Sequence, residues 1–199
     1  GTGVDLSAAL SPNSALFGTT GSVGGSSGVI INDTTIRAGA GRQVSITGKA
    51  GSNGFTYSLD ANENLVFTPD TSTASSVVVD ASFGEGAISA EGGRISIQGG
   101  TGDVLLNYQG EGTGDSIALL DVASATRAGG VIDIGGRNIL VANNFNPIAN
   151  FLGARGAGSG GTISLRGTGS IAINGNVGIA ADALSPVGNG GTIRVVAGD

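Results

Sequence analysis

The chain contains no cysteine, methionine, tryptophan or histidine, only one lysine and four prolines. Each absence removes a class of function. Without cysteine there is no disulfide, no thiolate metal site and no thiol nucleophile. A cysteine-free chain fits a protein that folds outside the cell. Without histidine the commonest general base and transition-metal ligand is gone, which excludes serine–histidine catalysis and a conventional zinc site. Eight arginines and Lys49 against fifteen acidic residues give a net charge of −6. Nucleic-acid binding, which needs a basic stripe, is disfavoured. No apolar run approaches the length of a membrane span, and no signal peptide is visible. The phosphate-loop pattern is missing, since Gly48-Lys49-Ala50 lacks the hydroxyl residue.

Glycine is what the sequence has in abundance, 39 of 199 residues. It does not recur every third residue, so collagen is excluded. A hydrophobic fraction of 39% is too high for a flexible glycine linker. Aligning the chain on Gly-Gly followed by an alternating triplet gives GGRISI from Gly92, GGVIDI from Gly129, GGTISL from Gly160 and GGTIRV from Gly190, with intervals of 37, 31 and 30 residues. GRQVSI from Gly41 is an earlier, weaker copy. Repeats of this length indicate a solenoid or a propeller.

Each copy alternates with the period of a strand, so Ile163 and Leu165 share one face and Thr162 and Ser164 the other. Two more short strands follow in the unit, Ser170–Ile173 and Val177–Ala180, separated by the turn Asn174-Gly175-Asn176. A small-residue strand stands roughly twelve residues before each Gly-Gly, as in VVVDASF, ALLDVAS, NFLGARG and GIAADAL, and TIRAGAG is placed likewise before GRQVSI. Three strands per unit predict an all-β, single-stranded parallel β-helix (β-solenoid) of about 30 residues per coil, with Ile132, Ile163 and Ile193 stacked inside. A propeller needs four antiparallel strands per blade and more aromatics than the eight present.

The period breaks between Gly41 and Gly92, 51 residues apart. The surplus NGFTYSLDANENLVFTP predicts a β-hairpin insertion over about residues 53–69. It concentrates Phe55, Tyr57, Leu65 and Phe67 in a chain poor in aromatics, and Phe55, Tyr57 and Phe67 are candidates for surface binding. Residues 1–28 form an irregular N-terminal segment, a cap or inter-subunit strand carrying Leu6, Leu10, Leu16 and Phe17. Residues 29–199 form the β-helix.

Candidate chemistry is sparse. Asp60, Asn62 and Asn64 match the opening of a calcium loop, but Leu65 stands where glycine is needed and Thr71 where the bidentate Glu belongs. GGTGDV from Gly99 and GTGDS from Gly112 hint at calcium β-rolls, yet Asp103 and Asp115 are twelve residues apart rather than nine. Turn chemistry explains both better, and no cofactor is expected, calcium being the one alternative. Outward Asp133 is expected near Arg94, Ser164 and Arg194, a mixed-charge ladder instead of the carboxylate pair of a glycosidase. Arg37, Arg137, Arg155 and Arg166 read as solvated or corner residues. No enzyme is expected.

The run GGTISLRGTGSIAINGNVGIAADALSPVGNGGTIRV, with VVVDASFGEGAISAEGGRISI upstream, resembles the large secreted β-helical proteins of the filamentous haemagglutinin type on bacterial, including cyanobacterial, surfaces. The resemblance covers roughly residues 29 to 199. Ser11–Gly18 is faintly similar to a segment of that family's secretion domain but departs at three of five positions. The hairpin is similar to turns of bacterial surface modules, with Glu63 replacing glycine. The resemblance implies export, surface attachment, adhesion or fibre building, and supplies no catalytic residue.

The sequence reading is therefore a structural subunit of an extracellular or cell-surface fibre. After GGTIRVV only Ala197-Gly198-Asp199 follow, which reads as an uncapped coil and a mature product or fragment. Thr192, Ile193, Arg194, Val195 and Val196, with Leu6, Leu10, Leu16 and Phe17, are the self-assembly candidates, and the expected partner is another copy of the chain. The alternatives are an adhesin fragment that binds cell-surface glycan and, last, a polysaccharide-degrading β-helix enzyme.

Overall fold

A computed structural model describes residues 4–6, 29–32, 34–48, 54–59, 65–70, 75–81, 88–108, 118–143 and 151–198. The described residues are all-β, with eighteen strands and no helix. Sixteen of the strands form three parallel sheets. Sheet A holds β1 (Val4–Leu6), β4 (Gln43–Thr47), β9 (Arg94–Gln98), β12 (Val131–Gly136), β15 (Thr162–Gly167) and β18 (Thr192–Val196) in that order. Sheet B holds β2 (Val29–Asn32), β7 (Ser75–Ala81), β10 (Asp103–Tyr108), β13 (Ile139–Asn143) and β16 (Ile171–Gly175). Sheet C holds β3 (Ile36–Ala38), β8 (Ile88–Ala90), β11 (Leu120–Asp121), β14 (Leu152–Gly153) and β17 (Ile179–Ala180). The chain visits A, B and C in strict rotation. Every strand of these three sheets pairs with its counterpart one sequence repeat away.

Register follows the Gly-Gly alignment. Ile132 pairs with Ile95 and with Ile163, and Ile163 pairs with Ile193. GRQVSI belongs to the same file, since Val44 pairs with Ile95. Alternation sends Val44, Ile46, Ile95, Ile97, Ile132, Ile134, Ile163 and Leu165 into the interior, where all are fully buried. They join residues of sheets B and C, among them Val79, Leu106, Val141, Ile88, Leu120 and Leu152, in one hydrophobic core.

The second glycine of each pair is required by packing. A Cβ on Gly191 would fall on the Gly161 carbonyl oxygen, and one on Gly161 would fall on that of Gly130. The same carbonyls accept hydrogen bonds from the next residue of the following copy: Thr192 N–H donates to Gly161 O at 2.9 Å and Thr162 N–H to Gly130 O at 2.9 Å. Only glycine lets the backbones approach this closely. The first glycine serves another purpose in the early copies. Gly92 takes a φ of 57° in the short turn between β8 and β9.

One expectation is corrected. VVVDASF does not stand in the place of ALLDVAS. Its strand, β7, lies in sheet B, pairing Val77 with Val104, and the sheet C strand of that repeat is Ile88–Ala90. The cause is turn length: three residues connect β8 to β9, whereas nine connect β11 to β12. Counting back a fixed distance from Gly92 therefore overshoots into the preceding strand.

Sheet B is also apolar on its other face. Val78, Leu105 and Leu140 are in register and buried, outside the main core. Burial on both faces explains the unbroken apolar runs at 77–79, 104–106 and 139–141. The surplus of the long repeat forms the expected hairpin, β5 (Gly54–Leu59) antiparallel to β6 (Leu65–Asp70), with Tyr57 opposite Phe67. It is inserted between β4 of sheet A and β7 of sheet B and makes its own two-stranded sheet.

Candidate functional site

The outer face of sheet A brings together Arg94, Asp133, Arg166 and Arg194. Outward positions come into register across strands: Ser96, Asp133, Ser164 and Arg194 form one row, and Gln98, Gly135 and Arg166 the next. Asp133 is buried, and its Oδ2 accepts a hydrogen bond from Arg94 Nη2 at 2.8 Å. Its Oδ1 accepts one from Arg166 Nη2. One carboxylate thus ties together three consecutive strands, β9, β12 and β15. The ladder of mixed charge was expected, with Arg94 in place. Arg166 is half-exposed, and it also pairs with Asp133 and lies within a strand instead of at a corner, because β15 extends to Gly167 and keeps Arg166 on the outward face. Arg194 stands opposite Ser164, one strand further on.

Two other arginines are also paired. Arg137 grips Asp103 through Nε and Nη2 at 2.8 and 2.9 Å, and Asp103 Oδ1 also accepts from the Asn138 backbone and side chain. This network closes the turn from sheet A to sheet B, so the Asp of GGTGDV is committed to turn chemistry. Arg155 holds Asp182 at 2.9 and 3.0 Å. That hydrogen bond keeps the Asp182 carboxyl below the usual carboxylate range, although the pair is solvent-exposed and so adds little to stability. Both pairs tie equivalent corners of successive repeats.

The second candidate region is the end of the three sheets formed by β16, β17 and β18, each an edge strand. Ile193 and Val195 continue the inward file of sheet A, yet they are 48% and 47% exposed, because no further strand covers them among the described residues. Ile173 on β16 is 45% exposed for the same reason. Ile179, Ala181, Asp182, Gly191 and Ile193 line a recess of about 460 Å³ there. Of the self-assembly candidates, Thr192–Val196 all lie on this edge. Leu6 lies on β1 at the opposite edge of sheet A, paired in backbone register with Ile46 of its own chain. Leu10, Leu16 and Phe17 lie outside the described residues. Ile173, Leu184 and Val187 are exposed apolar residues at the same end that the sequence reading missed. Ile173 was accessible to it, as the equivalent of buried Val141.

The remaining candidates are dispersed. Phe55, Tyr57 and Phe67 are on the hairpin strands, which form a separate two-stranded sheet. Asp60, Asn62, Asn64 and Asp115 lie outside the described residues. Among the described residues no three acidic, histidine or cysteine side chains form a group able to hold a metal ion. No family model, curated protein or solved structure matches the chain.

Proposed function

We propose that the chain is a single-stranded parallel β-helix and serves as a structural subunit of an extracellular or cell-surface fibre, joined head to tail by strand pairing. The observation that carries this reading is that β16, β17 and β18 are edge strands among the described residues, with Ile173, Ile193 and Val195 half-exposed in files that are otherwise buried. An open strand edge over an apolar file is a template for another strand. The opposite edges are β1, β2 and β3, one in each sheet and of the same polarity. Strand pairing between the two ends of successive copies would therefore need no strand to be inverted. Such a contact is heterologous and does not close on itself, so it builds a filament. The resemblance to filamentous haemagglutinin-type repeats supports a surface location.

Negative-stain microscopy over a concentration series tests the proposal. Fibres that lengthen with concentration, and are lost on Ile193→Lys with Val195→Lys, are the expected result. Uniform monomers at the highest soluble concentration overturn it.

A further inference from the structure

We propose, resting on the head-to-tail reading above, that the joint is a strand exchange. In it β18 of one copy takes the place of β1 on β4 of the next, and β1 together with Arg42 holds that place closed in the single chain.

The strand count makes the two strands compete. The described strands complete five rounds of sheets A, B and C, from β1–β3 to β15–β17, and β18 opens a sixth. Sheet A thus has one strand more than sheets B and C. When β2 and β3 of a second copy pair with β16 and β17, its first round occupies the level of that sixth. The incoming β1 and the resident β18 then claim one level of sheet A. Keeping both would stack β1 on β18 and leave a strand's width, about 4.8 Å, empty in sheets B and C. Backbone groups and apolar side chains along that gap would stay uncovered. Exchange leaves no gap, and covers Ile173 as well as Ile193 and Val195.

The register of β18 suits β4. β1 pairs Val4 with Val44, Asp5 with Ser45 and Leu6 with Ile46. Ile193, Arg194 and Val195 are the repeat equivalents of Val44, Ser45 and Ile46. In the place of β1, β18 therefore sets Ile193 against Val44 and Val195 against Ile46, and offers five residues of strand where β1 offers three. In the single chain this end is closed. Val44 and Ile46 are 0% exposed and Val29 and Ile31 of edge strand β2 5% and 7%, against 48% and 47% for Ile193 and Val195.

Arg42 is the second barrier. It holds the position of Gly93, Gly130, Gly161 and Gly191, where a Cβ would overlap the equivalent carbonyl oxygen one repeat earlier. β1 starts opposite Val44 and stops short of Arg42, which is exposed. β18 is preceded by Gly191, so in the exchanged joint the Arg42 Cβ would meet the Gly191 carbonyl. The overlap opposes β18 and spares β1.

Disulfide trapping decides it. The chain has no cysteine, so only introduced ones can pair. Opposed residues of parallel strands are about 4.8 Å apart, within disulfide reach. Arg194→Cys chains are mixed and oxidised with Ser45→Cys or Asp5→Cys chains, one partner carrying a tag that identifies the mixed dimer on a non-reducing gel. The expected result is a mixed disulfide with Ser45→Cys and none with Asp5→Cys. Cross-linking to Asp5→Cys, or fibres without the Ser45→Cys cross-link, overturns the exchange and leaves the head-to-tail reading standing. Asp5→Cys and Ser45→Cys in one chain should lock β1 in place and abolish fibres until reductant is added; fibres from the oxidised chain also overturn the exchange. Arg42→Gly should lower the concentration at which fibres appear about tenfold, and an unchanged concentration removes Arg42 from the gate. If no chain, Arg42→Gly included, gives fibres or mixed disulfides, the head-to-tail reading fails and the exchange with it.

Discussion

Ile163 and Ile193 occupy the same place in successive repeats and differ in one respect: Ile163 is covered on both sides, by Ile132 and Ile193, and Ile193 on one. Ile163 is fully buried, so Ile163→Ala removes its transfer free energy and leaves a cavity between two rigid neighbours. The expected cost is about 3–4 kcal/mol. Ile193 keeps only half of its surface from water and can leave no enclosed cavity, so Ile193→Ala should cost about 1.5 kcal/mol in the isolated chain. Urea unfolding followed by far-UV circular dichroism at low micromolar concentration measures both, provided the slope of the transition is unchanged. The two costs should then converge as protein concentration rises, because a second copy on β18 would bury Ile193 as Ile163 is buried. Equal costs at the lowest concentration would refute the open edge. A cost below about 1 kcal/mol for Ile163→Ala would refute the stacked file as the core.

Two further predictions rest on other parts of the fold. Gly191→Ala should prevent β18 from docking, since its Cβ would overlap the Gly161 carbonyl, whereas Gly190→Ala meets nothing within 4 Å and should leave the unfolding midpoint near that of the parent; parallel urea titrations compare them. Tyr108 is buried in the core and its phenol is pushed above its ordinary value of 10.0 by loss of solvation. The unfolded chain therefore loses that proton first, stability falls as pH rises above about 10, and Tyr108→Phe should remove that part of the alkaline loss in unfolding scans.

Much of the sheet architecture was legible because the alternating triplets are one-sided. In GGTISL the apolar residues are two apart and flanked by polar ones, so period and face are both readable, and the pairing of Ile132, Ile163 and Ile193 followed. The hairpin was equally legible, from a turn-rich DANEN between two aromatic-bearing strands. Sheet B was harder. VVVD, VLLNY and ILVAN are apolar without alternation because both faces are buried, and such runs do not disclose which sheet they join. VVVDASF was misplaced for that reason, together with a turn to sheet A that varies from three to eleven residues. On the outer face, Asp133 and Arg94 were legible from register alone. The Arg166 partnership was not, since it depends on how far β15 continues past Leu165.

The parallel register also constrains how the chain folds. Partner strands in sheet A are separated by 30, 31 and 37 residues toward the C-terminus, but by 51 between β4 and β9. Closing the longer loop costs about 0.5 kcal/mol more than closing a 30-residue one. The β5–β6 hairpin, which pairs locally, shortens the loop that remains open. Nucleation is then favoured among β12, β15 and β18, with growth toward β4, one repeat at a time. Adding repeats of this kind would lengthen the molecule without lengthening any loop, so folding time would track the slowest single closure and not the size of the chain.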